Sequence, residues 1–222
     1  MKVFGEQARS GSWDLVAQFV GRKILENETL DYQRVKDSLH IDSRPAPLPK
    51  ELKMGDLKGI ADFVNYTYVH YSGNCVLLAA SVHFNIENNA NILRAENTAS
   101  PHIGLEAEVV DQVIFGKVLG PSYSFGTLGE VSKEVLRRYE VNGDRSCIVS
   151  SEGYTVPLVG ESGHDFNAVV LLDSLNKPFV QYLDAWKTSN TTPATESFER
   201  HFSPSTSFTV RSIGESSGAV KR

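Results

Sequence analysis

The stretch Gly163-His164-Asp165-Phe166-Asn167-Ala168-Val169-Val170 lies where the chain has changed its period. Upstream, apolar residues recur at spacings of three and four. From Asn142-Gly143 onward they gather in short runs rich in Val, Ile, Phe and Tyr. The first pattern is that of helices and the second that of strands. Ser146 to Ser150, Asn167 to Leu172, Phe179 to Trp186 and Ser207 to Ile213 read as strands. Trp13 to Ile24, Thr29 to Leu39, Leu52 to His70, Cys75 to Ile92 and Leu128 to Tyr139 read as helices, and Gly104 to Leu119 leans the same way. Helices first and strands second predict an α+β fold, a helical N-terminal half packed on a C-terminal antiparallel sheet.

Pro45, Pro47 and Pro49 stand at alternate positions, which excludes helix and predicts an extended arm over 44–50. Residues 1–50 therefore read as an N-terminal helical extension ending in a Pro-rich arm. Residues 51–213 read as one domain, and 214–222 as a flexible tail. The Asn-rich segment 87–103 reads as loop after the helix from Cys75.

The chain has 222 residues, 41% of them hydrophobic, and a net charge of −5. That balance suits a globular core and argues against a nucleic-acid surface. No apolar run approaches the ~18 residues of a membrane span. The N-terminus shows no apolar core of a Sec signal, so the cytoplasm is the default expectation. Two cysteines, Cys75 and Cys147, are too few for a disulfide scaffold. No histidine pair has zincin spacing, so no metal and no cofactor are expected.

The chemistry concentrates on three residues. A cysteine thiol titrates at about 8.5 and becomes a nucleophile at neutral pH beside an imidazolium or a helix N-terminus. Cys75 opens a predicted helix directly after Gly73-Asn74, where backbone N–H groups also suit an oxyanion. His164 begins an apolar strand, and Asp184 follows on the next one. A hairpin turn centred on Ser174 would set His164 opposite Asp184, with Phe166 opposite Tyr182 and Ala168 opposite Val180. Directly opposed residues share a face with Cβ atoms roughly 4.5–5.5 Å apart. An aspartate there accepts the ring N–H and fixes the tautomer.

The order Cys, His, Asp on a helix and then two strands resembles the papain-like and transglutaminase-like cysteine superfamily. Gly163-His164-x-Phe166-Asn167-x-Val169 is similar to the histidine motif of transglutaminase-like enzymes and bacterial papain-like toxin domains, and Leu183-Asp184-Ala185-Trp186 to their third-residue segment. The resemblance covers about 57–186 and makes 51–213 a papain-like catalytic domain. It implies Cys75 as nucleophile, His164 as general base and acid, and Asp184 as its orienter. Papain-type proteases carry a glutamine shortly before the cysteine. Here no glutamine lies between Leu52 and Cys75, which leaves Asn65, Tyr71 and Asn74 as oxyanion candidates.

What the resemblance implies is a cysteine-dependent amide hydrolase, a protease or glutamine deamidase, acting on a protein substrate through a thioester. As a bacterial effector or toxin, it would meet a host or target-cell protein after delivery by a specialised secretion system. A chaperone or immunity protein would then accompany it. The alternatives are a transglutaminase-type acyltransferase and a non-catalytic interaction module on the same fold, which would hold Cys75 beyond reach of His164. An unrelated α+β domain would place His164 and Asp184 in different surroundings. Gly214-Glu215-Ser216-Ser217-Gly218 matches a nucleophile-elbow pattern but has only four residues after it, too few for the helix that motif needs.

Overall fold

In a computed structural model, residues 30–65, 74–95, 105–120, 123–156, 160–187 and 202–214 are described. The helix expected from Trp13 and the C-terminal tail beyond Gly214 lie outside them. The described elements are α1 (Leu30–Ser38), β1 (Leu39–Pro47), α2 (Met54–Val64), α3 (Cys75–Glu87), β2 (Ala90–Ala95), α4 (Ala107–Phe115), β3 (Ser124–Phe125), α5 (Leu128–Asn142), β4 (Ser146–Val156), β5 (Gly160–Leu172), β6 (Pro178–Leu183) and β7 (Phe208–Arg211), with a 3-10 turn at Ala185–Lys187. The five-stranded sheet runs β3-β7-β4-β5-β6 with every pairing antiparallel. The mixed architecture with antiparallel sheets agrees with the expected α+β class.

Two stretches differ from expectation. The Pro-rich segment is part of a strand, because β1 pairs with β2 in a separate two-stranded ribbon. Pro45 falls where the ladder is irregular, between Ile41 and Ala46, and Pro47 at its end, the positions where a missing N–H does least harm. Its partner β2 comes from the Asn-rich stretch read as loop. Asn85 explains why that stretch orders. Its Oδ1 accepts from Ile92 N (3.0 Å) and Leu93 N (2.8 Å) while its Nδ2 donates to Leu93 O (2.9 Å), so a helix side chain bonds β2 as a neighbouring strand would. Tyr32 and Val35 of α1 join the same core, so the described part of 1–50 is not a separate body.

The helix α3 was expected to bury one face. Instead Val76 through Ile86 are buried without a gap. A helix apolar on all sides must be surrounded, and α2, α4, β2 and the sheet do this. Each buried leucine or valine contributes about 1.5–3 kcal/mol, against ~1 kcal/mol for a helix cap, so packing fixes α3. Its start indeed lacks a side-chain cap from Asn74.

On β5, Asn167 bonds to α3, whereas Ala168 faces Tyr182, whose hydroxyl donates to Leu128 O of α5 at 2.6 Å. Successive strand residues point to opposite faces, so α3 covers one face of the sheet and α5 the other. The helix α5 starts at a Thr127 cap that accepts from Glu130 N (3.2 Å) and stops at Gly143, whose φ of 75° suits glycine.

Polar groups at the C-terminal half of α3 are matched in a relay. His83 is fully buried, and its Nε2 accepts from Ile213 N at 3.0 Å. The ring proton is therefore on Nδ1 and is donated to Ser146 Oγ at 2.7 Å, and that hydroxyl donates to Glu87 Oε1 at 3.1 Å. Burial first, then Arg211 and Arg138, hold His83 neutral, down at about 3. Burial and the nearby Asp144 push the Glu87 carboxyl up to about 7, against hydrogen bonds from Ser146 and the charge of Arg145.

A carboxyl raised in the folded state stabilises the fold below its unfolded value of 4.5 and loses that contribution as pH rises towards 7. The Glu87 side chain keeps 15% exposure, which softens the effect to on the order of 2 kcal/mol. Urea unfolding at mildly acidic and mildly alkaline pH will show Glu87→Gln gaining stability relative to the parent chain on the alkaline side. Identical pH dependence of the two proteins contradicts this.

Candidate active site

Cys75 is the first residue of α3 and is partly exposed, at one of the two ends where the buried helix reaches the surface. Asn74 is buried before it, and its carbonyl accepts from Leu78 N at 3.0 Å. The N–H groups of the first turn thus lie beside the thiol, uncapped by Asn74's side chain. Tyr71 and Gly73 lie outside the described residues. Cys147, by contrast, is fully buried on β4, where burial pushes its thiol far up.

Cys75 lies beside His164, close enough for its side chain to act on the ring's proton affinity. Its Nε2 donates to Asp184 Oδ2 at 3.0 Å, which leaves Nδ1 as the nitrogen for sulfur. Asp184 is fully buried, and its Oδ1 accepts from Trp186 N at 3.0 Å. That bond closes the turn after β6 and aims the second oxygen at the ring. The Trp186 ring packs 5.1 Å from the His164 ring, and Phe166 stacks at 6.1 Å. Burial opposes charge on His164, but the Asp184 charge and hydrogen bond, with Cys75 beside them, outweigh it and raise the ring to about 10.

The hairpin register differs from the expected one by two residues. Ala168 faces Tyr182 rather than Val180, because Asp173 N bonds to Lys177 O and Asn176 takes the left-handed conformation at φ 58°. The turn thus centres on Leu175. A shift of two keeps every residue on its expected face. His164 itself pairs with Ser151 of β4, and Asp184 lies past the last β6 pair, Asn167 with Leu183. The two meet diagonally across the strand ends rather than directly opposite.

Asn65, an oxyanion candidate, is buried, and its Nδ2 donates to Ala185 O at 2.9 Å. This ties the C-cap of α2 to the turn that carries Asp184, a structural use of the amide. Trp186, expected as a strand residue and as the end of the Leu183–Trp186 segment, instead sits in the 3-10 turn and packs against the His164 ring. An unread feature is Arg211 on β7, whose Nη2 binds Asp165 at 2.6 Å and whose Nε lies 3.3 Å from Asp111 of α4. It holds the residue next to His164, and no local pattern announces so distant a partner. Among the described residues no group of three His, Cys, Asp or Glu could hold a metal ion, and no helix is long and apolar enough to cross a membrane.

The fold and site define a mixed α/β protein with antiparallel sheets in which a histidine, bonded to a buried aspartate, lies beside a cysteine at a helix start. The chain belongs to the SpvD family: the family model described as Salmonella plasmid virulence protein SpvD matches residues 1–214. It is 44% identical over 216 residues to the virulence protein vsdE of Salmonella typhimurium and to the virulence protein SpvD of Salmonella dublin, covering 97% of this chain and 99% of each relative. A solved variant of the Salmonella effector SpvD is 45% identical and superposes with a TM-score of 0.80, covering 89% of this chain and 98% of that one. A second variant gives 38% identity and a TM-score of 0.72, over 87% of this chain and 97% of that one.

The raised His164 links the pair to stability: its contribution is complete below pH 6.5 and is lost as pH rises through about 10. In NMR titration the His164 ring is expected to stay protonated through neutral pH. In Asp184→Asn, with burial largely unopposed, its midpoint will fall below that of an exposed histidine. A midpoint near 6.5 in both proteins contradicts the assignment.

Proposed function

We propose that the chain is a cysteine-dependent amide hydrolase of the papain-like kind, a protease or glutamine deamidase acting on a protein of a host cell. One observation carries the reading: the thiol that opens α3 lies beside His164, whose ring is hydrogen-bonded to a buried Asp184. Membership of a family named for virulence, with solved relatives titled effectors, supports a host protein as substrate.

The sulfur attacks a carboxamide carbon as a thiolate, its proton held on His164, and the tetrahedral oxyanion forms beside the first-turn N–H groups of α3. The C–N bond breaks as His164 gives its proton to the leaving amine, and a thioester remains on Cys75. Water then attacks the thioester, His164 takes its proton, and the acid departs with the thiol restored. Asp184 keeps the imidazolium oriented throughout. A backbone amide yields cleavage, and a glutamine side chain yields glutamate and ammonia.

The reading predicts that Cys75→Ala abolishes processing of host-cell lysate proteins while circular dichroism and melting temperature stay near those of the parent. Peptide mapping of lysate treated with each protein separates new chain termini from glutamine-to-glutamate conversion. Equal modification by the two proteins contradicts the reading.

A further inference from the structure

Asn167 is the member of the Gly163–Val170 stretch that has no chemical part so far. It is fully buried, and its Nδ2 donates to Ala79 O at 2.9 Å. Asn167 lies three residues after His164 on β5. Ala79 lies about one turn after Cys75 on α3. The bond therefore joins the cysteine's helix to the histidine's strand, one turn from Cys75 and three residues from His164.

Apolar packing holds α3 against the sheet, but such attraction has little direction. Ala79 and Ala80 on the helix are small. Sliding the helix by one residue's rise, about 1.5 Å, would carry Cys75 away from its place beside His164. A directional amide bond resists that slide. The rest of the side chain argues against a purely stabilising role. Its Oδ1 is buried with no hydrogen-bond partner among the described residues. Val169 and Leu171 occupy the equivalent inward positions further along β5, and a leucine at 167 would match them and leave no orphan oxygen. A polar group stands here against local stability, as expected where function sets the geometry.

We propose that Asn167 is a positioning residue whose amide sets the sliding register of α3 on β5, and with it the approach of Cys75 to His164. This rests on the Cys75–His164–Asp184 reading of the site. The residue acts through the helix and touches neither substrate nor sulfur.

The test follows iodoacetamide alkylation of Cys75 by peptide mass mapping, as the ratio of rates at about pH 6 and about pH 9. The parent chain, His164→Ala and Asn167→Leu are compared, with the melting temperature of each. The expected result is that Asn167→Leu melts at or above the parent, yet loses roughly tenfold in that ratio and approaches the His164→Ala floor. If Asn167→Leu does not fold, Asn167→Ser, too short to reach α3, gives the same readout. A folded variant with the parent's ratio overturns the proposal and leaves the triad reading standing. A parent already at the His164→Ala floor overturns both.

Discussion

Burial of α3 on every side is the constraint from which the rest of the structure follows. A helix with Val76 through Ile86 all out of water needs a neighbour in each direction. The sheet takes one side and α2, α4 and β2 take the others. Two polar side chains caught inside α3 find partners: His83 in Ser146 and Ile213, Asn85 in the backbone of β2. Only the ends of such a helix reach water. At one end stands Glu87, bonded by the backbone of Arg145 and Ser146; at the other stands Cys75. A thiol there is anchored by the packed helix and partly exposed to solvent.

The site adds a buried ion pair to that frame. A carboxylate and an imidazolium taken from water gain little net stability, because the desolvation of both offsets their attraction. What the His164–Asp184 pair supplies is a fixed ring orientation, with one nitrogen committed to oxygen and the other left for sulfur. The surrounding contacts serve the same end. Trp186 donates its backbone N–H to Asp184 and packs its ring on His164. Asn65 secures the turn between them through Ala185. Behind the strand, Arg211 binds Asp165 and Asp111 and locks β5 to β7 and α4.

Much of this was legible in the sequence, for stated physical reasons. Period alone located α2, α3, α5 and the strands β4 to β7, although α3 stops at Glu87 rather than Ile92, β4 runs on to Val156 and β5 starts already at Gly160. Cys75, His164 and Asp184 stand out through chemistry and spacing, and the fold brings them together. The ribbon β1–β2 was missed because prolines and asparagines depress strand propensity, and what orders it is a distant side chain, Asn85. The hairpin register was misjudged by two because the conformation of Asn176 sets the turn, and nothing in residue type alone fixed that choice. The even size of the error spared the site, since parity keeps His164 and Asp184 on one face. Long-range pins such as Asn65 to Ala185 and Arg211 to Asp165 carry no local signal at all.

The central claim is that Cys75 is the nucleophile and His164 its activator. Acylation by p-nitrophenyl acetate, read by intact mass and peptide mapping, tests it most directly. The account predicts an acetyl group on Cys75 that hydroxylamine removes, absent from Cys147, and slowed strongly in His164→Ala. An acetyl group that is distributed over lysines alone, or that reaches Cys75 equally fast without His164, contradicts it.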